Sequence, residues 1–193
     1  MRIERALTDI RTLGPGSRLA IWTNGCPRAC PGCVSVRLQK VNPSTEVEPI
    51  AFISRFDLTK CDGVTISGGE PFMQSKELLV LLKYLKENGI KDVLVYTGYL
   101  LEELKQDETM NACLKYIDVL IDGPYIDALN DDTNNIKGSS NQNIYYFNKD
   151  LIPLYSSYIK EEREVQEFII RYISLGIGIP TRRYIENFYQ KEV

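Results

Sequence analysis

The sequence contains no histidine. That removes the side chain most often used for proton transfer near neutral pH, and the usual partner of cysteine in mixed zinc sites. It lacks any apolar run of the roughly 18 residues that a membrane span needs. Its N-terminal segment is charged and has no apolar signal-peptide block, so a cytoplasmic protein is expected. Positive charge is not in excess either: 23 Lys and Arg stand against 26 Asp and Glu, for a net charge of −3. With a pI near 5.2, this argues against nucleic acid or an anionic membrane as a general partner. No repeat, low-complexity segment or linker divides the chain, and 193 residues suit a single domain.

Cysteine is present but in an odd number, five, which with no secretion signal speaks against a disulfide framework. Three of the five crowd into one loop, Cys26-Pro-Arg-Ala-Cys30-Pro-Gly-Cys33. A tight cysteine cluster in a reducing compartment reads first as a metal site. Three thiolates ligate three irons of a four-iron cubane and leave one iron open, the condition for chemistry at a metal. Pro27, Pro31 and Gly32 suit a loop folded tightly around an inorganic core. Cys61 and Cys113 stand apart and read as inert core thiols.

Strand-like and helix-like runs alternate along the chain. Residues 18–23 read as the first strand, after the turn-forming Gly14-Pro15-Gly16. Residues 47–55 read as a helix and 63–66 as a short strand closed by Ser67-Gly68-Gly69. Residues 75–88 carry leucines at helical spacing, with Gly89 as the stop. A strand follows at 92–96, a helical run broken near Asp107 at 100–115, and another strand at 116–121. Residues 127–143 are polar and asparagine-rich and read as loop, 143–147 as a strand. The run 164–172 fits strand or helix equally, and 181–191 reads as a terminal helix. Such alternation predicts an α/β domain with a mostly parallel sheet. In these sheets functional groups gather beyond the C-terminal strand ends. The cysteine loop, Gly68-Gly69-Glu70-Pro71, Thr97-Gly98 and Asp122-Gly123 all occupy such ends, so four separated motifs are expected to converge on one edge.

The cysteine spacing C-x3-C-x2-C after a strand, followed by Gly68-Gly69-Glu70-Pro71, resembles the radical S-adenosylmethionine (SAM) superfamily. The series Gly14-Pro15-Gly16-Ser-Arg18, the cysteine loop, Ser67 to Pro71, Tyr96-Thr-Gly-Tyr99, Asp118 to Gly123 and Gly138-Ser-Ser-Asn-Gln142 narrows the resemblance. It is similar to the glycyl-radical-enzyme activases of the anaerobic ribonucleotide reductase type, over about residues 10–147. The resemblance implies a partial (β/α) barrel of about six mostly parallel strands in a single domain. It implies a [4Fe-4S] cluster on Cys26, Cys30 and Cys33, with SAM chelating the open iron. It places Gly32, Val34, Gly68, Gly69, Glu70, Pro71, Thr97, Asp122, Ser139 and Asn141 as candidate cofactor contacts, with no catalytic side chain beyond the cluster ligands. The implied reaction is reductive cleavage of SAM to a 5′-deoxyadenosyl radical, which abstracts a hydrogen atom from a glycine of a partner glycyl radical enzyme. A flavodoxin-like or similar one-electron reductant is implied as a second partner.

Other readings stay beside this one. Strand-end Thr97 and Asp122 often only cap the next helix, and Ser139 and Asn141 equally suit a plain polar loop. Two departures keep the target open to another peptide or a small molecule. Val34-Ser35 follows the third cysteine where such activases often carry Tyr-Asn, and residues 148–193 extend past the resemblance. That extension belongs to the same domain or contacts a partner. A non-catalytic iron–sulfur or zinc protein is the remaining alternative, in which zinc requires a fourth ligand.

Overall fold

The computed structural model describes residues 1–170 and 173–185. Its frame is a six-stranded sheet in sequential spatial order: β1 (Ile3–Ile10), β2 (Arg18–Thr23), β3 (Gly63–Gly68), β4 (Val93–Tyr96), β5 (Val119–Asp122) and β6 (Asn143–Tyr146). The inner pairs β2–β3, β3–β4 and β4–β5 are parallel, and β1 and β6 flank them antiparallel. The expected α/β class and mostly parallel six-stranded sheet are therefore present. Residues 18–23 form the second strand, however, not the first. The strand expected over 116–121 begins only at Val119.

The helices are α1 (Pro49–Ile53), α2 (Ser75–Glu87), α3 (Leu101–Gln106), α4 (Glu108–Leu114) and α5 (Ile152–Tyr158). Helix α2 buries Leu78, Leu81, Leu82 and Leu85, the stripe that a 3.6-residue period places on one face. It ends at Gly89, whose φ of 86° is a left-handed stop. The break near Asp107 is real: its carboxylate accepts from Met110 N–H at 2.8 Å and caps α4.

Strand alternation divides the core in two. Leu19, Ile21, Val64, Ile66, Val93, Val95 and Leu120 face the buried side of helices α1 to α4. Ala20 and Trp22 face the other way, into a cluster with Ile177, and Leu94, Val119 and Ile121 pack on Tyr155 and Tyr158. Residues after 147 thus cover the second face of the sheet. They comprise α5 and an antiparallel hairpin of β7 (Val165–Ile170) and β8 (Ile173–Gly178), which settles the open run 164–172 as strand over its described part. Of the expected terminal helix, residues 182–185 are helical and 186–191 lie outside the described residues. No helix among the described residues is long and apolar enough to cross a membrane.

Beneath the sheet lies a fully buried ion pair. Arg18, on β2, is 0% exposed and its guanidinium reaches Asp92 Oδ2 at 2.6 Å. Its other N–H groups donate to Pro15 O, Val64 O and Thr65 Oγ1. Tyr155 O–H donates to the second Asp92 oxygen at 2.8 Å. A buried charge pair is tolerable only when its remaining hydrogen-bonding capacity is met, as here.

Candidate active site

Because β2 to β5 run parallel, their C-terminal ends share one edge, and backbone hydrogen bonds lace the segments that leave it. Gly69 N–H donates to Thr23 O at 2.8 Å and Glu70 N–H to Gly25 O at 2.8 Å. Thr97 N–H donates to Ile121 O and Gly123 N–H to Tyr99 O, both at 2.9 Å. The four motifs read from the sequence converge as expected.

The cysteine loop springs from the end of β2 and is pinned at its root. Gly25 N–H donates to Leu38 O and Cys26 N–H to Gln39 O, while Leu38 is buried in the second core. Within the loop Ala29 and Gly32 take left-handed backbone, at φ 46° and 72°, which coils the chain tightly between the thiols. Cys26, Cys30 and Cys33 are free and half-buried. Burial pushes the Cys26 thiol above its ordinary pKa, and the Glu70 charge adds to this, against a lowering backbone hydrogen bond from Arg28. The other two cysteines are out of reach. Cys113 is fully buried in α4 beside Ser75, and Cys61 precedes β3 at the opposite edge of the sheet. An all-cysteine zinc site therefore has no fourth thiolate.

Glu70 is 1% exposed and wholly engaged. Oε1 accepts from Phe72 N–H at 3.0 Å and from Thr97 Oγ1 at 2.8 Å, and Oε2 accepts from Gly98 N–H at 2.8 Å. Burial raises its pKa, opposed by these three hydrogen bonds and by the Arg28 charge. Thr97 links the end of β4 to the turn after β3 by donating to Glu70, and its hydroxyl also accepts from Tyr99 N–H in its own turn.

The remaining candidates divide by their partners. Asp122 is buried with both oxygens used, Oδ2 by Leu101 N–H at the start of α3 and Oδ1 by Asn143 Nδ2. Ser139 Oγ accepts from Ile126 N–H. Asn141 donates to Pro124 O, yet its Oδ1 is buried with no hydrogen-bond partner. Gly32 lies under Asp127, and Val34 is 62% exposed on the rim. Sequence reasoning passed over Arg28. Its guanidinium stacks 4.5 Å from the Tyr99 ring centre and donates to Glu103, while its Nε is buried and unpartnered. Its position between the first two cysteines was the available signal.

Among the described residues, no set of three or more Cys, Asp or Glu side chains converges as a ready metal centre. The donor set nonetheless fits an iron–sulfur cubane: three free thiols on one tightly coiled loop, with no histidine to compete. Two orphaned polar atoms at the same edge, the donor Arg28 Nε and the acceptor Asn141 Oδ1, suit a ligand bearing both carboxylate and hydroxyl or amino groups.

Two surface hollows lie elsewhere, at the N-terminal strand ends, one beside Ile117 and Phe147 and one beside Pro15 and Asp62. Neither contains a residue of the four motifs.

Comparison with known proteins bears on this edge. The 4Fe-4S single cluster domain family matches residues 12–145, from the turn before β2 into β6. The anaerobic ribonucleoside-triphosphate reductase-activating protein of Pasteurella multocida is 37% identical over 149 residues, 72% of this chain and 93% of its own length. Its namesake from Escherichia coli K12 is 33% identical, over 69% of this chain and 90% of its own. The namesake from Enterobacteria phage T4 is 32% identical, over 68% and 85%. With nearly the full length of these relatives represented, and the single-cluster domain laid over the strands that carry the cysteine loop, this chain belongs to the family of anaerobic ribonucleoside-triphosphate reductase-activating proteins.

Proposed function

We propose that the chain is a radical SAM activase that generates a glycyl radical on a partner enzyme, of the anaerobic ribonucleotide reductase type. The observation that carries the reading is the seam between the cysteine loop and the Gly68–Gly69–Glu70–Pro71 turn, where Glu70 N–H meets Gly25 O one residue before Cys26. The cofactors are a [4Fe-4S] cluster and SAM. When bound and reduced by the external one-electron donor, they would supply reductive cleavage of the sulfonium and hydrogen-atom abstraction from a glycine Cα.

In this reading Cys26, Cys30 and Cys33 hold the cluster. Glu70, kept in place by Thr97, Gly98 and Phe72, receives the methionine amino group. Asn141 Oδ1 and Arg28 Nε are free to meet polar groups of SAM. Gly32 and Val34 edge the mouth, and Asp122 and Ser139 brace it from the strand and loop behind. In this reading the six-stranded, mostly parallel sheet serves as the partial barrel. No side chain has to move a proton, which agrees with the absence of histidine. Partners are the glycyl radical enzyme and a flavodoxin-like or similar one-electron reductant, in a cytoplasmic setting.

Anaerobic reconstitution tests this. Iron, sulfide and reductant-dependent 5′-deoxyadenosine are expected, and a glycyl doublet in the electron paramagnetic resonance spectrum of a reductase partner. SAM cleavage with no partner radical would move the target to another peptide or a small molecule. Zinc in place of iron would end the reading.

A further inference from the structure

Two arginines beyond the family match reach back into the polar loop 125–142. Arg163, with its side chain only 2% exposed, donates from Nε to Asn134 O at 2.8 Å and from Nη2 to Lys137 O at 2.8 Å. Its Nη1 reaches Asp132 Oδ1 at 2.7 Å, Asn130 Oδ1 at 2.8 Å and Pro180 O at 3.3 Å. Arg182 binds the same loop and shares Asn130 and Asp132 with Arg163. Its Nε donates to Asn130 O at 2.9 Å, its Nη2 to Asp127 O, and its backbone N–H to the Asp132 carboxylate.

The clamped loop borders the proposed cofactor site. A Cβ placed on Gly32, between the second and third cysteines, would lie 2.9 Å from Asp127 Oδ1. At its other end the loop carries Ser139 and Asn141, tied back to residues 124–129 by Ile126 N–H on Ser139 Oγ, Ser140 N–H on Leu129 O and Asn141 Nδ2 on Pro124 O. Apart from one short turn, Asp127–Leu129, the loop has no regular structure of its own. Holding a segment of this length in one conformation costs roughly 1–2 kcal/mol per residue in backbone entropy, so its order must come from outside. A planar guanidinium with five fixed N–H groups suits several carbonyl and carboxylate oxygens at once, and a lysine ammonium does not.

We propose that Arg163, assisted by Arg182, is a positioning residue for SAM: the C-terminal extension clamps the 127–142 loop against the cysteine loop and presets Asn141. This rests on the radical SAM reading for the identity of the ligand, while the clamp rests on the hydrogen bonds alone.

The test compares Arg163→Met, Arg163→Lys and Arg182→Ala with Tyr155→Phe, a change in the same extension that keeps the ring packed and removes only the hydroxyl bound to Asp92. In cluster-free protein, Arg163→Met is expected to raise amide hydrogen exchange across 127–142 and leave β3 and β4 protected. In reconstituted protein of normal iron content it is expected to raise the KM for SAM roughly tenfold, with kcat changed by less than about threefold. Arg163→Lys follows Arg163→Met, Arg182→Ala shifts both readouts in the same direction by less, and Tyr155→Phe lowers stability without moving either. Unchanged exchange and KM in Arg163→Met, or a KM shift equalled by Tyr155→Phe, would overturn the proposal. Wild-type protein that does not cleave SAM overturns the functional reading instead, and the exchange experiment still decides the clamp.

Discussion

Gly69 and Gly25 approach so closely that a Cβ on Gly69 would lie 2.2 Å from the Gly25 carbonyl oxygen. Gly68 is as confined, with a Cβ falling 2.3 Å from Thr23 N. Both glycines are therefore required by the chain's own packing, where the turn after β3 meets the root of the cysteine loop.

Gly69→Ala should accordingly disturb the fold and the cysteine loop together. Overpacking of this kind costs about 1–3 kcal/mol or more, because the neighbours are backbone and have little room to yield. A lower urea midpoint and loss of iron uptake are expected. Gly89→Ala is the contrast: φ is 86° but nothing lies within 4 Å. It should cost about 1–2 kcal/mol through backbone strain alone and leave iron uptake intact. Equal iron loss in both variants would mean that the close approach at Gly69 has no special role.

The thiols offer a second measurement. Burial, with the Asp107 charge, pushes Cys113 up to about 12, and its side chain has no exposed surface. Thiolate is the reactive form, so iodoacetamide at pH 8 should spare Cys113 in the folded, cluster-free protein. Cys26, Cys30 and Cys33 should be labelled, then become protected once the cluster is assembled, and Cys61 should label equally in both states. Removing the cluster with chelator should restore the first pattern, as read by mass spectrometry of the peptides. Protection of Cys61 on assembly would contradict a three-cysteine cluster.

The parallel strands and their terminal motifs were legible because each is a short apolar run closed by glycine or a capping residue. Strand β1 was not, because Glu4, Arg5, Thr8 and Asp9 interrupt its apolar positions and only its two ends, Ile3 and Ile10, are buried. Its antiparallel pairing with β2 closes across residues 11–17, where the Gly14-Pro15-Gly16 turn marks the start of β2 but does not reveal a strand before it. The run 164–172 stayed open because its five apolar positions fit either period, and only the pairing of β7 with β8 decides it. Arg163 and Arg182 looked like ordinary charged positions. Their acceptors are mostly backbone carbonyls some 25 to 55 positions away, and side-chain chemistry does not mark such partners in a sequence.

The buried pair beneath the sheet predicts an order of effects. Asp92→Ala leaves Arg18 charged and without its counter-ion at 0% exposure, which costs about 3–5 kcal/mol. Tyr155→Phe removes one hydrogen bond to a carboxylate that keeps its Arg18 partner, worth about 1–2 kcal/mol. Urea denaturation of the two variants should rank them so. The reverse order would mean that Tyr155, not the ion pair, is the main brace of this face.

Thr97 and Asp122 sit at adjacent strand ends and are both buried, yet they should respond differently. Thr97 Oγ1 donates to Glu70 Oε1 at 2.8 Å, so Thr97→Val keeps the shape and leaves that oxygen with only the Phe72 N–H. A carboxylate that has lost one of three donors is less fixed in direction. Since Glu70 is the group proposed to receive the SAM amino group, the KM for SAM should rise, by roughly tenfold if one charge-assisted bond of 1.5–3 kcal/mol is partly recovered by relaxation. Asp122 spends one oxygen on Leu101 N–H and the other on Asn143. Asp122→Ala should therefore lose a helix cap, about 1 kcal/mol of stability, with little change in KM. Thermal melts beside SAM titrations separate the two. A KM shift in Asp122→Ala as large as that in Thr97→Val would place the Asp122 carboxylate at the ligand, and the cap would then be its secondary role.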